Sequence, residues 1–314
     1  MVIEYTPGMA IVLPLILIAV LIPFATAVIA LGSEMAGQIQ NKLADKFSQQ
    51  ISRLGCLVAL AILLAGVALT VIFGPTGKGT EYVGGLSFLL FRLAPGLILG
   101  TGIFFIYLFS WKKLKQNKPA HASLGAMAAV LLGIFLFVFL QTSMSRTPLV
   151  NVQDLPAMDS VIYPLVLQWL IFALSAGGTI GLAFLLARRN RDDFGRDYYK
   201  YALGLSSKWA LTGTILGFLP CIWTGWLLWP HVHLMPLVLP GTISVIAAAY
   251  ICILAVVLIR ASQPLRFKGM IILGQFFLWL FFAARILVHL EIMNMMPDMP
   301  DTHIFTTQWI NILF

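Results

Sequence analysis

The chain has 314 residues, of which 60% are hydrophobic and only 10% charged, with a formal net charge of +8. A soluble domain cannot bury that apolar fraction, so the solvent around most of this chain must be lipid. The positive charge falls in alternate connections between apolar runs, as membrane topology requires, so nucleic acid is not implied as a partner.

Eight apolar runs are long enough to cross roughly 30 Å of hydrocarbon at about 1.5 Å per residue. They cover residues 9–32, 54–74, 84–111, 121–144, 160–187, 207–229, 236–260 and 269–292. The first has no basic segment before it and no small-residue cleavage motif, so it is expected to be a retained helix rather than a signal peptide. Nearly every residue falls in a span or a short connection, and no appended soluble domain is expected. Of the 20 Lys and Arg, 16 lie in the connections after odd-numbered spans, including Lys42, Lys112, Lys113, Arg188, Arg189, Arg196, Arg266 and Lys268. The other connections hold only Lys78 and Arg146, while Arg92 and Arg285 lie within or near spans. This asymmetry is a positive-inside signal that points both termini outward, into a periplasm-like space, as in a multi-pass protein of a bacterial inner membrane. The basic residues then set topology and meet anionic lipid.

The chain also reads twice. Span one runs into the charged stretch from Asn41 to Arg53, then Leu54-Gly55 and an apolar span ending Gly74-Pro75. Span five runs into Arg188 to Lys200, then Leu203-Gly204 and a span ending Trp229-Pro230. Four spans per repeat is an even number, so both repeats keep one orientation. The expected architecture is all-α: two parallel-repeat four-helix bundles, residues 1–150 and 151–314. Small residues such as Gly96, Gly100, Ser175, Gly177, Gly178 and Gly181 let helices approach closely without any ligand. Cys56, Cys221 and Cys252 fall inside spans without metal-ligand spacing and read as packing residues.

Phe109-Ser110-Trp111-Lys112-Lys113-Leu114 is followed by His121 opening the next span, which ends Ser143-Met144 through Pro148. Leu185-Leu186-Ala187-Arg188-Arg189-Asn190-Arg191-Asp192 follows span five, and Val12-Leu13-Pro14-Leu15 lies in span one. In order and spacing this set resembles subunit I of cytochrome bd quinol oxidases over the first 230 or so residues. The resemblance implies a respiratory membrane subunit and a quinone ligand. The departures bear on function. The family's axial histidines fall near Met9 and Pro164, and no histidine precedes His121. Haem iron needs such a ligand on a rigid helix, so haem b is not expected and oxygen reduction is excluded. The family's two proton-delivering glutamates fall on Arg92 and Gly100, and its long quinol loop shrinks to Trp229–Pro240.

Four of the five histidines collect toward the outward side: His231, His233, His289 and His303. Arg285 and His289 are four apart and share a helix face, with Glu291 just beyond. Arg285, His289, Glu291, His231, His233 and Arg92 are therefore candidates for a quinone site, with histidine or Glu291 taking the hydroxyl proton. The plainer alternative is that interfacial His and Trp are ordinary at membrane edges, and that Arg285 pairs with Glu291 or lipid. For His121, which opens span four on the inward side, a capping or polar-turn role is expected rather than ligation. Trp223, Trp226, Trp229, Phe276, Phe277, Trp279, Phe281 and Phe282 line a cavity or pack against neighbours and lipid. No metal or covalently bound cofactor motif is present in the sequence, so electrons would pass to a partner such as a multihaem cytochrome c or an iron–sulfur protein. The leading expectation is a haem-free respiratory subunit. The alternatives are a purely structural membrane anchor and, third, a small-molecule transporter. A transporter would want broken helices with midplane ionisable groups, and Pro95 and Pro220 are the candidate breaks.

Overall fold

The computed structural model describes residues 7–36, 42–73, 94–114, 117–144, 160–192, 194–228 and 235–294. Among them the chain is all-helical, with no strand. The helices are α1 (Pro7–Ala36), α2 (Lys42–Phe73), α3 (Ala94–Ser110), α4 (Lys118–Met144) and α5 (Ile162–Arg188). They continue with α6 (Arg196–Gly217), α7 (Leu219–Leu228), α8 (Met235–Arg260), a 3-10 turn at Pro264–Phe267 and α9 (Lys268–Asn294). Seven segments are long and apolar enough to cross a membrane: Ile11–Ala36, Lys42–Ala68, Lys118–Gln141, Ile162–Arg188, Arg196–Leu228, Met235–Arg260 and Pro264–Ile292. The protein is thus a multi-pass all-α membrane protein. The expected third span, 84–111, is described only from Ala94, as the 17-residue α3.

These helices are apolar on nearly every face because both their environments are apolar. Leu64, Ile222 and Trp226 point outward, where a bilayer would receive them, whereas Leu21, Phe104, Phe172 and Phe281 are fully enclosed. Of the aromatic residues on the sixth and eighth spans, Trp226 and Phe276 are exposed, and Phe281 and Phe282 are core. Helix α1 packs on α2 and α4, α2 on α3, and α3 on α4. In the second half α5 packs on α6 and α9, α6 on α8, and α8 on α9. The two sets meet chiefly where α1 lies against α5. Side-chain hydrogen bonds tie the halves at separated levels: Trp209 Nε1 to Ser33 Oγ at 3.3 Å, and Trp279 Nε1 to the Ile11 carbonyl at 3.2 Å.

The closest helix pair is α5–α6. A Cβ added at Gly178 would strike the backbone of Ala210, and one at Gly213 the backbone of Ser175. That contact is knit by Ser206 donating to the Gly178 carbonyl (2.8 Å) and by the Ser175–Thr214 hydroxyl pair (2.6 Å). The sixth span begins at Arg196, well before the expected residue 207, and breaks at Phe218, two residues before Pro220. A proline lacks an N–H and clashes with the preceding turn, so it sits near the start of α7 rather than inside a continuous helix. The break places Cys221, in the first turn of α7, against α5.

Candidate functional site

Arg285 lies on α9 about two turns before Ile292, the end of its span, at about 1.5 Å per residue. It is 8% exposed and turned into the protein rather than toward lipid. Its Nη2 donates to Gln168 Oε1 of α5 at 2.8 Å and reaches Cys221 Sγ of α7 at 3.4 Å. The Cys221 thiol also donates to Gln168 Oε1, at 3.2 Å. Trp169 and Phe282, stacked with centroids 5.7 Å apart, lie beside this junction. One turn further along α9, His289 is also buried, 8% exposed. Among the described residues neither of its ring nitrogens has a hydrogen-bond partner, and neither does Nε of Arg285.

This arrangement is electrostatically open. A guanidinium carries five N–H donors and a fixed positive charge. Its partners here, an amide oxygen and a thiol, are both neutral. A buried charge without a counter-charge costs several kcal/mol, and every unmade buried hydrogen bond adds about 1–3 kcal/mol. What would complete the junction is an electron-rich oxygen reaching Arg285 Nε and a His289 nitrogen together.

Of the six residues the sequence put forward, Arg285 and His289 come together on the buried face of α9. Glu291 is described and half-buried, but it does not pair with Arg285; among the described residues the ion pairs are Lys118–Asp45, His121–Glu34 and Arg188–Asp192. Arg92, His231 and His233 lie outside the described residues. Gln168 and Cys221, the partners of Arg285, were not singled out as site residues. A lone glutamine in the apolar run of α5 was their only signal, because uncharged polar groups inside a span need a partner.

A second buried polar cluster sits at the far end of α1. Trp279, near the middle of α9, bonds the Ile11 carbonyl near the start of α1, while Glu34 lies in the last turn of α1. Glu34 Oε1 is 2.7 Å from His121 Nδ1, and Tyr107 Oη donates to Glu34 Oε2 at 2.8 Å. His121 Nε2 faces the Tyr107 carbonyl at 3.0 Å, and the imidazole packs against the rings of Tyr107 and Trp111, which also touch each other with centroids 5.8 Å apart. All three residues are almost wholly enclosed. His121 is therefore not the helix cap expected from its position. Asn117 caps α4, its Oδ1 accepting from the Ala120 N–H at 3.2 Å. Both ring nitrogens of His121 and both carboxyl oxygens of Glu34 therefore have a hydrogen-bond partner within the cluster.

No protein-family model matches the chain, and neither a curated protein nor a solved structure does. Among the described residues no group of three or more His, Cys, Asp or Glu could hold a metal ion.

Proposed function

We propose that the chain is a haem-free membrane subunit of a respiratory electron-transfer complex in a bacterial inner membrane, and that it binds a quinone at Arg285 and His289. The observation that carries this reading is the junction itself: among the described residues, a buried guanidinium with only neutral partners, one turn from a buried imidazole with none. An ionisable group placed inside a membrane span and facing protein marks a ligand or proton path by default. A quinone suits the junction because it is apolar over most of its surface and offers carbonyl oxygens to Arg285 Nε and His289. Its ring would lie against Trp169 and Phe282.

Oxidation of a quinol releases two protons and two electrons. In this reading His289 accepts a hydroxyl proton and Arg285 stabilises the oxyanion left behind. The electrons leave for a redox centre in a partner, a multihaem cytochrome c or an iron–sulfur protein, because this chain's own residues supply no electron acceptor. The positive-inside pattern puts both termini and this junction on the outward face, where the protons are released. Two parallel four-helix bundles with eight spans are part of the same proposal. The matching packing order, first helix on second and fourth and second on third in both halves, supports it.

The test is photolabelling with an azido-quinone in the membrane, with peptides read by mass spectrometry. Label on α5, α7 and α9 that excess unlabelled quinone prevents, and that Arg285→Gln abolishes, is the expected result. Label spread evenly over lipid-facing helices and unaffected by Arg285→Gln would leave the chain as a purely structural anchor.

A further inference from the structure

At a membrane-surface end of the second half, the connection from α5 to α6 meets the 3-10 turn between α8 and α9. Between them lies a cavity of about 430 Å³ lined by Arg189, Arg196, Arg266, Lys268, Tyr199 and Gln263. Ligand pockets begin near roughly 300 Å³, so this space suffices for a phosphate group and a small polar substituent. Four cationic side chains from four successive stretches of chain line it, and among the described residues no carboxylate does. Among the described residues none of the four pairs with an acid. Asp192, in the same connection, is engaged elsewhere: its Oδ2 accepts from Arg188 Nε at 2.6 Å and from Gln50 Nε2 at 3.0 Å. Asp197 is exposed and does not line the cavity, and Asp193 lies outside the described residues.

The backbone adds to the charge. Helix α6 is 22 residues long, and its N-cap is Gly195 at φ +84°, which makes no side-chain capping bond. A helix start carries partial positive charge from amides that have no intrahelical partner. Gly195 supplies both a left-handed turn that other residues resist and a lip without a side chain, where an anion can approach. Dispersed arginines would be enough to set topology. Convergence of four cations on one half-open cleft, with Arg196, Arg266 and Lys268 exposed and Arg189 partly buried, is a different arrangement, suited to a ligand that reaches it from outside the protein.

We infer that this cavity is a binding site for a phosphate-bearing anion, either the headgroup of an anionic phospholipid or a soluble phosphate compound. In it Arg189, Arg196 and Arg266 contact the phosphate oxygens by paired N–H donors. Lys268 adds charge, and Gln263 meets the polar substituent. The site is separate from the Arg285 junction and does not depend on the quinone reading.

The experiment uses the full chain in nanodiscs of phosphatidylcholine doped with phosphatidylglycerol, with bound lipid read by native mass spectrometry after gentle release. The pocket variant carries Arg189→Gln, Arg196→Gln and Arg266→Gln. A control variant carries Lys112→Gln, Lys113→Gln and Lys208→Gln, exposed residues outside the cavity. Wild type and control should retain phosphatidylglycerol, while the pocket variant binds it roughly a hundredfold more weakly, about fivefold for each cation lost. Retention that inorganic phosphate does not disturb assigns the site to a lipid headgroup. Displacement by millimolar phosphate, with a phosphate-dependent rise in melting temperature absent from the pocket variant, assigns it to a soluble compound. Equal loss in both variants, or no retention of either probe by wild type, overturns the inference.

Discussion

Removing the nitrogens of His121 tests whether the Glu34 cluster is a coupled unit or a set of coincident contacts. His121→Phe keeps a ring between Tyr107 and Trp111 but leaves the Glu34 carboxyl with Tyr107 Oη as its remaining partner. Removing one member of a buried pair costs about 3–5 kcal/mol, because the survivor is stranded. Glu34→Leu strands His121 Nδ1 and Tyr107 Oη in the same way and should cost a similar amount. Once one partner is gone, deleting the other relieves a stranded group. The double variant should therefore be more stable than the sum of the singles implies, by about 2–3 kcal/mol. The assay is reversible unfolding in mixed micelles at several detergent ratios, followed by tryptophan fluorescence, since Trp111 reports on the imidazole directly. A parallel cycle on Asp45 and Lys118, which are 3.6 Å apart and partly exposed, should give no more than about 0.2–1 kcal/mol. Additivity within about 0.5 kcal/mol at Glu34 and His121 would refute the closed-pair account.

Other expectations follow from single contacts. Arg285→Met removes a buried charge whose partners are neutral, and Gln168 keeps the Cys221 thiol, so thermal stability should hold steady or rise by about 1 kcal/mol. A fall of the size produced by a core cavity would mean that Arg285 is structural. Gly178→Ala drives a methyl into the Ala210 backbone and should destabilise the α5–α6 pair by about 1–3 kcal/mol, whereas Gly204→Ala meets nothing within 4 Å and should gain up to about 1 kcal/mol of helix propensity. Melting curves of the two variants separate the effects. The hydrogen bond from Arg188 holds the Asp192 carboxyl below the usual carboxylate range, helped by Gln50 and opposed by partial burial. Its folded value is depressed, so the contribution is present above the unfolded pKa of about 3.9 and fades as pH falls through the folded value. It is a partly exposed i,i+4 pair, so its size is about 0.3–0.5 kcal/mol. Asp192→Asn should flatten the stability profile below about pH 4 and leave it parallel to wild type near neutrality.

Apolar run length made the helices legible in the sequence, because a span that meets lipid on one side and protein on the other is apolar all round. The same filter misplaced the start of the sixth span. From Arg196 to Lys208 the buried face is Tyr198, Tyr199, Ala202, Leu203 and Ser206, spaced by three and four, while Arg196, Lys200 and Lys208 are exposed. Averaged hydropathy counts those charges against the segment, although they occupy a different face from the buried one. His121 was misjudged for another reason. Its partner Glu34 is 87 residues away, and nothing local distinguishes a histidine that opens a helix from one that closes a tertiary contact. Arg285 and His289 were legible as neighbours on one face. Their depth, and the convergence of Gln168 and Cys221 on them, depend on the break at Phe218 that brings α7 against α5, and periodicity carries no information about that.

The contrast between the two buried clusters is what favours Arg285 and His289 over Glu34 and His121 as the place where a ligand enters. In the Glu34 cluster the carboxyl oxygens and both imidazole nitrogens have partners within 3.0 Å, and the rings of Tyr107 and Trp111 pack against the imidazole. Such a cluster fixes the relative positions of α1, α3 and α4; among the described residues its acid and base are fully partnered, and Trp111 Nε1 is the atom beside them left without a hydrogen bond. At the Arg285 junction, one turn of α9 holds a permanent cation facing an amide oxygen and a sulfur, and the next turn holds an imidazole that has no hydrogen-bond partner among the described residues. Folding alone gains nothing from that arrangement, since methionine and leucine at positions 285 and 289 would pack as well without the desolvation cost. In the proposed site an oxygen that reaches both side chains would offset that cost. A quinol oxygen can do so while its ring and tail remain in apolar surroundings, and a hydroxyl that gives up its proton on oxidation leaves an oxyanion that binds the cation more strongly than the neutral hydroxyl does.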